Sequence, residues 1–160
     1  MTRGRFAGAA LPVLAATVML IQFLPTSRDN PPVTGDISAP EAVAVTLRRA
    51  CYDCHSNETR WFWYSRVAPV SWLIARDVAS GRRELNFSAW NNYFPQTRRR
   101  KLQWMERSIA AGKMPPASYL MTHPAARLNA LDRTALTNWI ESELETTANQ
   151  KDSCSPLSQH

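Results

Sequence analysis

The chain is poor in several things, and each shortage removes a class of answer. It has only three cysteines in 160 residues, Cys51, Cys54 and Cys154, so no disulfide framework can staple the fold. It has no second C-x-x-C and no H-x-x-x-H with which one cysteine pair could complete a zinc site. No stretch of useful length alternates apolar and polar residues, which argues against a sheet, and no segment repeats. The formal net charge is +6, yet no recognised nucleic-acid motif accompanies it, so a solvated basic surface, anionic lipid or an acidic protein partner is the better inference. What remains is ordinary globular composition, 44% hydrophobic and 20% charged, at a length suited to one domain.

Against that background one short motif stands out. Residues 51–55 read Cys51-Tyr52-Asp53-Cys54-His55, the C-x-x-C-H signature of c-type haem attachment. On a helical turn, positions i, i+3 and i+4 share a face. Cys51 and Cys54 can then form thioethers to the two haem vinyl groups, while His55 reaches the iron from the same side. The competing reading, a redox cysteine pair, needs a thioredoxin-like βαβ context, and the flanks here read helical.

The N-terminus points outward from the cytoplasm. Arg3 and Arg5 precede an apolar stretch from Phe6 to Leu24, interrupted only by small residues, Pro12 and Gln22. As a helix it would span about 28 Å, close to a bilayer core of about 30 Å. The leading arginines place the N-terminus in the cytoplasm and the rest outside. The stretch exceeds the usual apolar region of a signal peptide and runs into Phe23-Leu24-Pro25-Thr26-Ser27, which offers no A-x-A-like site. An uncleaved anchor is therefore favoured over a cleaved signal, and either way the remainder is exported.

Residues 1–25 thus form an anchor or signal segment, and 26–37, rich in Pro, Asn, Asp and Ser, read as a linker. A domain over 38–147 begins at Ser38-Ala39-Pro40-Glu41, a capping box with proline just inside the helix start. Val43, Leu47, Ala50, Cys51 and Cys54 then make one apolar stripe, predicting a helix through the box with its cysteines facing the core. A second helix is predicted over 68–80, with Val70, Leu73, Ile74 and Val78 inward and Gly81 ending it. A third covers 96–111, with Leu102, Met105 and Ile109 inside and Gly112 as its stop. The last begins near Asn129 and carries Leu136, Ile140 and Leu144, with Trp139 alongside. Residues 148–160 are polar and read as a disordered tail in which Cys154 is an incidental thiol. The predicted fold is all-α with about four helices, a small domain in which a buried haem supplements a short core.

With His55 on one side of the iron, the other side decides the chemistry. Met114, in Gly112-Lys113-Met114-Pro115-Pro116, is the leading candidate, because the paired prolines stiffen the backbone that carries it. His123 is the second, Met121 a weaker third, and an open site the remaining option. Trp61, Phe62, Trp63 and Tyr64 follow the box and are candidates to pack on the macrocycle. The Trp N–H groups, the Tyr64 hydroxyl, Arg60 and Arg66 are candidate donors to its propionates. The run Arg98-Arg99-Arg100-Lys101 sits at the wrong end of a helix for the macrodipole, so it is either an exposed face or a docking patch.

The residues together resemble the small bacterial haem-binding-domain proteins, c-type-cytochrome-like and membrane-anchored. The resemblance spans about residues 38–145 and rests on the box extended by Ser56-Asn57-Glu58-Thr59, on Trp63-Tyr64-Ser65, Val67-Ala68-Pro69-Val70-Ser71-Trp72 and Leu85-Asn86-Phe87-Ser88, and on Gly112 to Pro116. One departure is Phe62, where proline is expected. The order of elements also looks like a class I cytochrome c. The resemblance implies a cytochrome c-like helical domain around one covalent haem c, at the bacterial inner membrane with the haem domain facing the periplasm or cell exterior. By that analogy Cys51, Cys54 and His55 bind the cofactor and Met114 is the second axial ligand.

The function expected is a membrane-tethered monohaem c-type cytochrome that passes electrons to an unidentified redox partner. A haem-based sensor or small-ligand binder with an open or displaceable sixth site is the alternative. No distal His–Arg pair is assembled, so no enzymatic activity is expected.

Overall fold

The computed structural model describes residues 3–153. Among the described residues there is no strand, and the elements are helices α1 (Arg3–Ile21), α2 (Glu41–Ala50), α3 (Tyr52–His55), α4 (Val70–Glu84), α5 (Pro95–Ala110), α6 (Ala117–Thr122) and α7 (Ala130–Ser153). Short 3-10 turns lie at Trp63–Arg66, Trp90–Asn92 and Pro124–Ala126. The fold is all-α, and the four expected helices are α2, α4, α5 and α7. The core gathers where α5 and α2 pack along α7, around the fully buried Leu47, Phe87, Leu136 and Ile140.

Two helix ends follow the capping rules. Gly112 adopts φ +65 after α5, and the N–H groups of Gly112 and Lys113 close back on Ile109 O and Ser108 O, the paired bonds that end a helix at a left-handed residue. At the start of α7, Asn129 Oδ1 accepts from Asp132 N at 2.8 Å, and Asp132 Oδ2 accepts from Asn129 N at 3.0 Å. That reciprocal pair is a capping box.

Other expectations are corrected. The Ser38 capping box does not form: Pro40 itself takes the N-cap place, with no side-chain cap, so the helix begins two residues later than Ser38 would set it. The helix is also broken at Cys51, whose φ −127 and ψ −33 separate α2 from α3. Gly81 does not end α4, which continues to Glu84. A Cβ at Gly81 would lie 2.5 Å from Cys54 O, so this glycine permits two backbones to touch. Helix α7 runs past the expected start of the tail to Ser153; Cys154 and the rest of the tail lie outside the described residues.

The linker expectation is overturned most clearly. Thr34 N and Gly35 N donate to Ser88 O, Trp90 N donates to Gly35 O, and Gly35 pairs with Ala89 as an isolated bridge. Asp36 accepts from Tyr52 O–H at 2.7 Å and from Arg48, and Ile37 is buried. The Pro- and Asn-rich composition signals irregular backbone, but several of its polar groups, at Thr34, Gly35 and Asp36, bond to the domain. Residues 26–37 are a strap on the domain.

The cationic run is likewise mostly internal. Arg98 donates to Tyr93 O and Asn91 O, Arg99 to Leu144 O and Lys101 to Glu84 O, clamping α5 to its neighbours. Only Arg100 is confined to its own helix, bonding Thr97.

Helix α1 exposes apolar side chains on every side, among them Leu11, Val13, Leu14, Val18, Met19 and Leu20. Among the described residues no helix is long and apolar enough to cross a membrane. Gln22, just past its end, joins it to the domain: Ala68 N donates to Gln22 Oε1 at 2.9 Å, and Gln22 Nε2 donates to Ala68 O at 3.3 Å.

Candidate functional site

The box closes a helical turn, with Cys54 N and His55 N both donating to Cys51 O at 3.2 and 2.9 Å. His55 is buried, and its backbone carbonyl accepts from Phe87 N at 2.7 Å. Its ring lies edge-on to Phe87 and beside Trp104, with centroids 6.2 and 6.1 Å away. Nδ1 is 3.0 Å from Gly81 O and 3.1 Å from Leu85 O. Carbonyls only accept, so Nδ1 carries the proton and Nε2 holds a free lone pair. Burial outweighs the two carbonyls and lowers the pKa of His55, which keeps the ring neutral.

Two chambers open on the box and meet at Cys54, Asp77, Pro116, Ser118 and Tyr119. The smaller, about 300 Å³, brings together Cys51, Cys54, His55, Trp104 and Met114. The larger, about 420 Å³, is walled by Val70, Leu73, Ile74 and Val78 of α4, with Phe62, Tyr64 and Tyr119 opposite. The apolar stripe predicted to face the packed core thus largely faces this crevice instead. Leu73 is 52% exposed and Val70 43%, and of that stripe only Val78 is buried. A wider groove, about 560 Å³, adjoins beyond Arg60 and His123, but Arg48, Arg49 and Arg60 along it are already paired with carboxylates.

The thiols differ from those of a thioredoxin-like redox pair. Cys51 and Cys54 are half-buried and free, also against the core-facing expectation, yet enough protein surrounds each sulfur to disfavour a thiolate. Burial and then the neighbouring Cys54 push Cys51 up to about 12; burial and then the Asp53 carboxylate push Cys54 up to about 11. A thioredoxin-like cysteine has a depressed pKa.

Asp53, a variable position of the motif, is buried and fully engaged. Its Oδ1 accepts from Arg60 N and Nε at 3.1 and 3.0 Å; its Oδ2 accepts from Arg60 Nη2 at 2.9 Å and from Tyr119 O–H at 2.7 Å. Burial raises its pKa, but these donors, Arg60 first, outweigh that and hold the carboxylate below its usual range. Burial, and then Asp53, push the Tyr119 phenol up, so it stays a donor.

The structure separates the remaining candidates. Met114 shares the smaller chamber with His55. His123 does not: it lines the larger chamber, where Tyr64 O–H meets its Nε2 at 2.9 Å and Nδ1 faces Tyr119 O and Thr122 Oγ1. Met121 is 84% exposed and lines neither chamber. Trp61, Trp63 and Arg66 line neither chamber. Trp61 Nε1 donates to Asn30, and Trp63 is 76% exposed because the tight turn at Trp63–Arg66 swings it outward. Arg60 is occupied by Asp53. Of the aromatic candidates, Tyr64 and Phe62 face the crevice.

The roles of Gly81, Asp53, Tyr119 and Trp104 escaped the sequence reading. A glycine just past an apolar stripe resembles a helix stop, and nothing local says that Asp53 and Tyr119 meet. Trp104 had a usable signal, as an aromatic residue between the inward Leu102 and Met105.

The donor set suits haem: a neutral imidazole with Nε2 free, two thiols on the same turn, a thioether lining the same chamber, and apolar walls around it. A search of curated proteins and of solved structures returned no match. A family model described as the haem-binding domain matches residues 16–142, which takes in the strap and the end of α1. The chain therefore belongs to the haem-binding domain family.

Proposed function

We propose that this haem-binding protein is an exported, membrane-tethered monohaem c-type cytochrome: an electron carrier and not an enzyme, holding one covalent haem c. The observation that carries the reading is the orientation of His55. Its Nδ1–H is spent on Gly81 O and Leu85 O, so Nε2 is the coordinating atom, in a chamber that also holds Cys51, Cys54 and Met114. Bound there, the cofactor supplies a one-electron iron couple. Cys51 and Cys54 would hold it through thioethers, and His55 and Met114 would supply the ligands to its iron. The apolar faces of α4 and Trp104 exclude water from it. A methionine ligand raises the potential and leaves no site for substrate, which favours electron transfer over ligand sensing. The exposed apolar surface of α1 and the arginines in its first turn support tethering to the bacterial inner membrane, with the domain on the periplasmic or outer side.

The test uses the full chain matured with haem and extracted from membranes. Haem should stay with the denatured polypeptide in acidified organic solvent, and the chain should resist alkaline extraction from the membrane. The ferrous protein should not bind carbon monoxide promptly, whereas Met114→Ala should bind it at once and lose the methionine–iron charge-transfer band. An unchanged Met114→Ala spectrum would remove Met114 from the iron, and prompt carbon monoxide binding by the parent would favour the sensor reading.

A further inference from the structure

Met114 lies on a short span between two elements that are held very differently. On its N-terminal side, α5 ends in a fixed cap: Lys113 N and Met114 N donate to Ser108 O at 2.9 and 3.3 Å, and Ser108 is itself buried. On its C-terminal side comes α6, six residues none of which is buried. Only Tyr119 and Leu120 of it are partly buried against the core, so directed contacts add to a thin packing face. Tyr119 supplies them. Its hydroxyl reaches across the crevice to Asp53 Oδ2 at 2.7 Å, and its ring stacks on His123 at 4.1 Å and 14°. Asp53 is a rigid anchor, because Arg60 holds both of its oxygens and Thr59 Oγ1 donates to its backbone carbonyl at 2.8 Å. Asp53 also lies between the attachment cysteines. The bond therefore runs from inside the box to the helix just beyond Met114.

We infer that the Tyr119–Asp53 hydrogen bond is a strut that keeps the Met114 wall closed over the box, making Tyr119 and Asp53 positioning residues for the sixth iron ligand. The inference rests on Met114 ligation. Its consequence is quantitative. An exogenous ligand can reach the iron only in the fraction of molecules whose methionine is displaced, so its apparent affinity rises in proportion to that fraction. Losing a hydrogen bond to a charged group should raise the fraction by about ten- to a hundred-fold.

The experiment titrates the ferric, haem-loaded full chain with cyanide. Tyr119→Phe keeps the ring stack and removes only the hydroxyl; it should bind cyanide about ten- to a hundred-fold more tightly. Asp53→Asn is the second arm and should shift affinity the same way. Tyr93→Phe, which removes a hydroxyl that bonds Asn86 N away from the crevice, controls for general loosening and should leave affinity unchanged. In a Met114→Ala background, Tyr119→Phe should add nothing further. If Met114→Ala tightens cyanide binding but Tyr119→Phe does not, the strut is wrong and the ligand assignment stands. If Met114→Ala changes nothing, the assignment itself fails. A matching gain in Tyr93→Phe would also overturn the strut, by showing that any loosening suffices.

Discussion

The two walls of the crevice are built on different principles. The His55 wall is part of the core: Phe87 is 1% exposed, stacks on Tyr52 at 5.3 Å, and meets the His55 ring, while α4 touches the box through Gly81. The Met114 wall is a proline-rich span, in which Pro115 is buried, and a helix with no fully buried residue. It is held by the partial packing of Tyr119 and Leu120 and by a few directed bonds. Close packing fixes a ligand because every displacement loses many contacts at once. Directed bonds fix a ligand only until one of them breaks. The difference suits the roles proposed: a permanent attachment side, and a sixth ligand whose hold can be tuned one bond at a time.

The sharpest way to break this comparison is a matched pair of truncations. Phe87→Ala should destabilise the protein by about 3–5 kcal/mol in urea unfolding, through lost burial and the cavity left against Tyr52 and His55. Met121→Ala, on exposed α6, should change stability by no more than about 0.5 kcal/mol. Comparable losses would mean that the walls are not built differently.

A smaller effect should come from Gly81→Ala. The added methyl would meet Cys54 O, and either α4 or the box must move. The cost should be about 1–3 kcal/mol by thermal unfolding, despite the better helix propensity of alanine. Because Gly81 O also accepts from His55 Nδ1, the haem-loaded variant should show a shifted reduction potential as well. An unchanged potential and melting temperature would show that the box and α4 have room to spare.

The smallest effect concerns the far end of the Met114 wall. Arg49, two residues before Cys51, donates to Ala125 O and Arg127 O beyond α6 and to Asp132 Oδ2 at 2.8 Å. Burial alone would raise the pKa of Asp132, but the Asn129 N–H and then Arg49 outweigh it and hold the carboxylate below its ordinary value. A folded pKa below the unfolded one gives stability that is present at neutral pH and lost as pH falls through the folded value. Asp132→Asn should therefore cost about 0.3–1 kcal/mol at pH 7, and the two proteins should converge in strong acid. A constant difference between them across that range would exclude this clasp.

What could be read from the sequence was local. The box, the stripes of α2, α5 and α7, the Gly112 stop and the Asn129 start all depend on residues within a few positions of one another. Their periodicity and capping chemistry survive in the fold. The same reasoning failed wherever a distant backbone decided the outcome. Gly81 looked like a helix stop because local propensity cannot register Cys54 O beside it. Residues 26–37 looked like a linker because composition says that backbone is irregular, not what satisfies it. The α4 stripe was legible as apolar, but periodicity does not say whether an apolar face meets core or crevice. Trp63 was chosen for its type, and a tight turn aimed it at solvent.

The sequence by itself determined the haem-binding chemistry: one turn carries two thiols and an imidazole, and helical geometry puts them on one face. Tertiary structure alone decided how that chemistry is aimed. Carbonyls of Gly81 in α4 and of Leu85 just past its end, 26 and 30 residues away, free Nε2 of His55. The fold brings Met114 rather than His123 into its chamber. A bond spanning 66 residues ties Asp53 to Tyr119. The reason is physical. Spacing along a helix fixes directions within a turn, whereas the partner of a buried hydrogen bond is whichever group packing brings within 3 Å, and no local pattern records it.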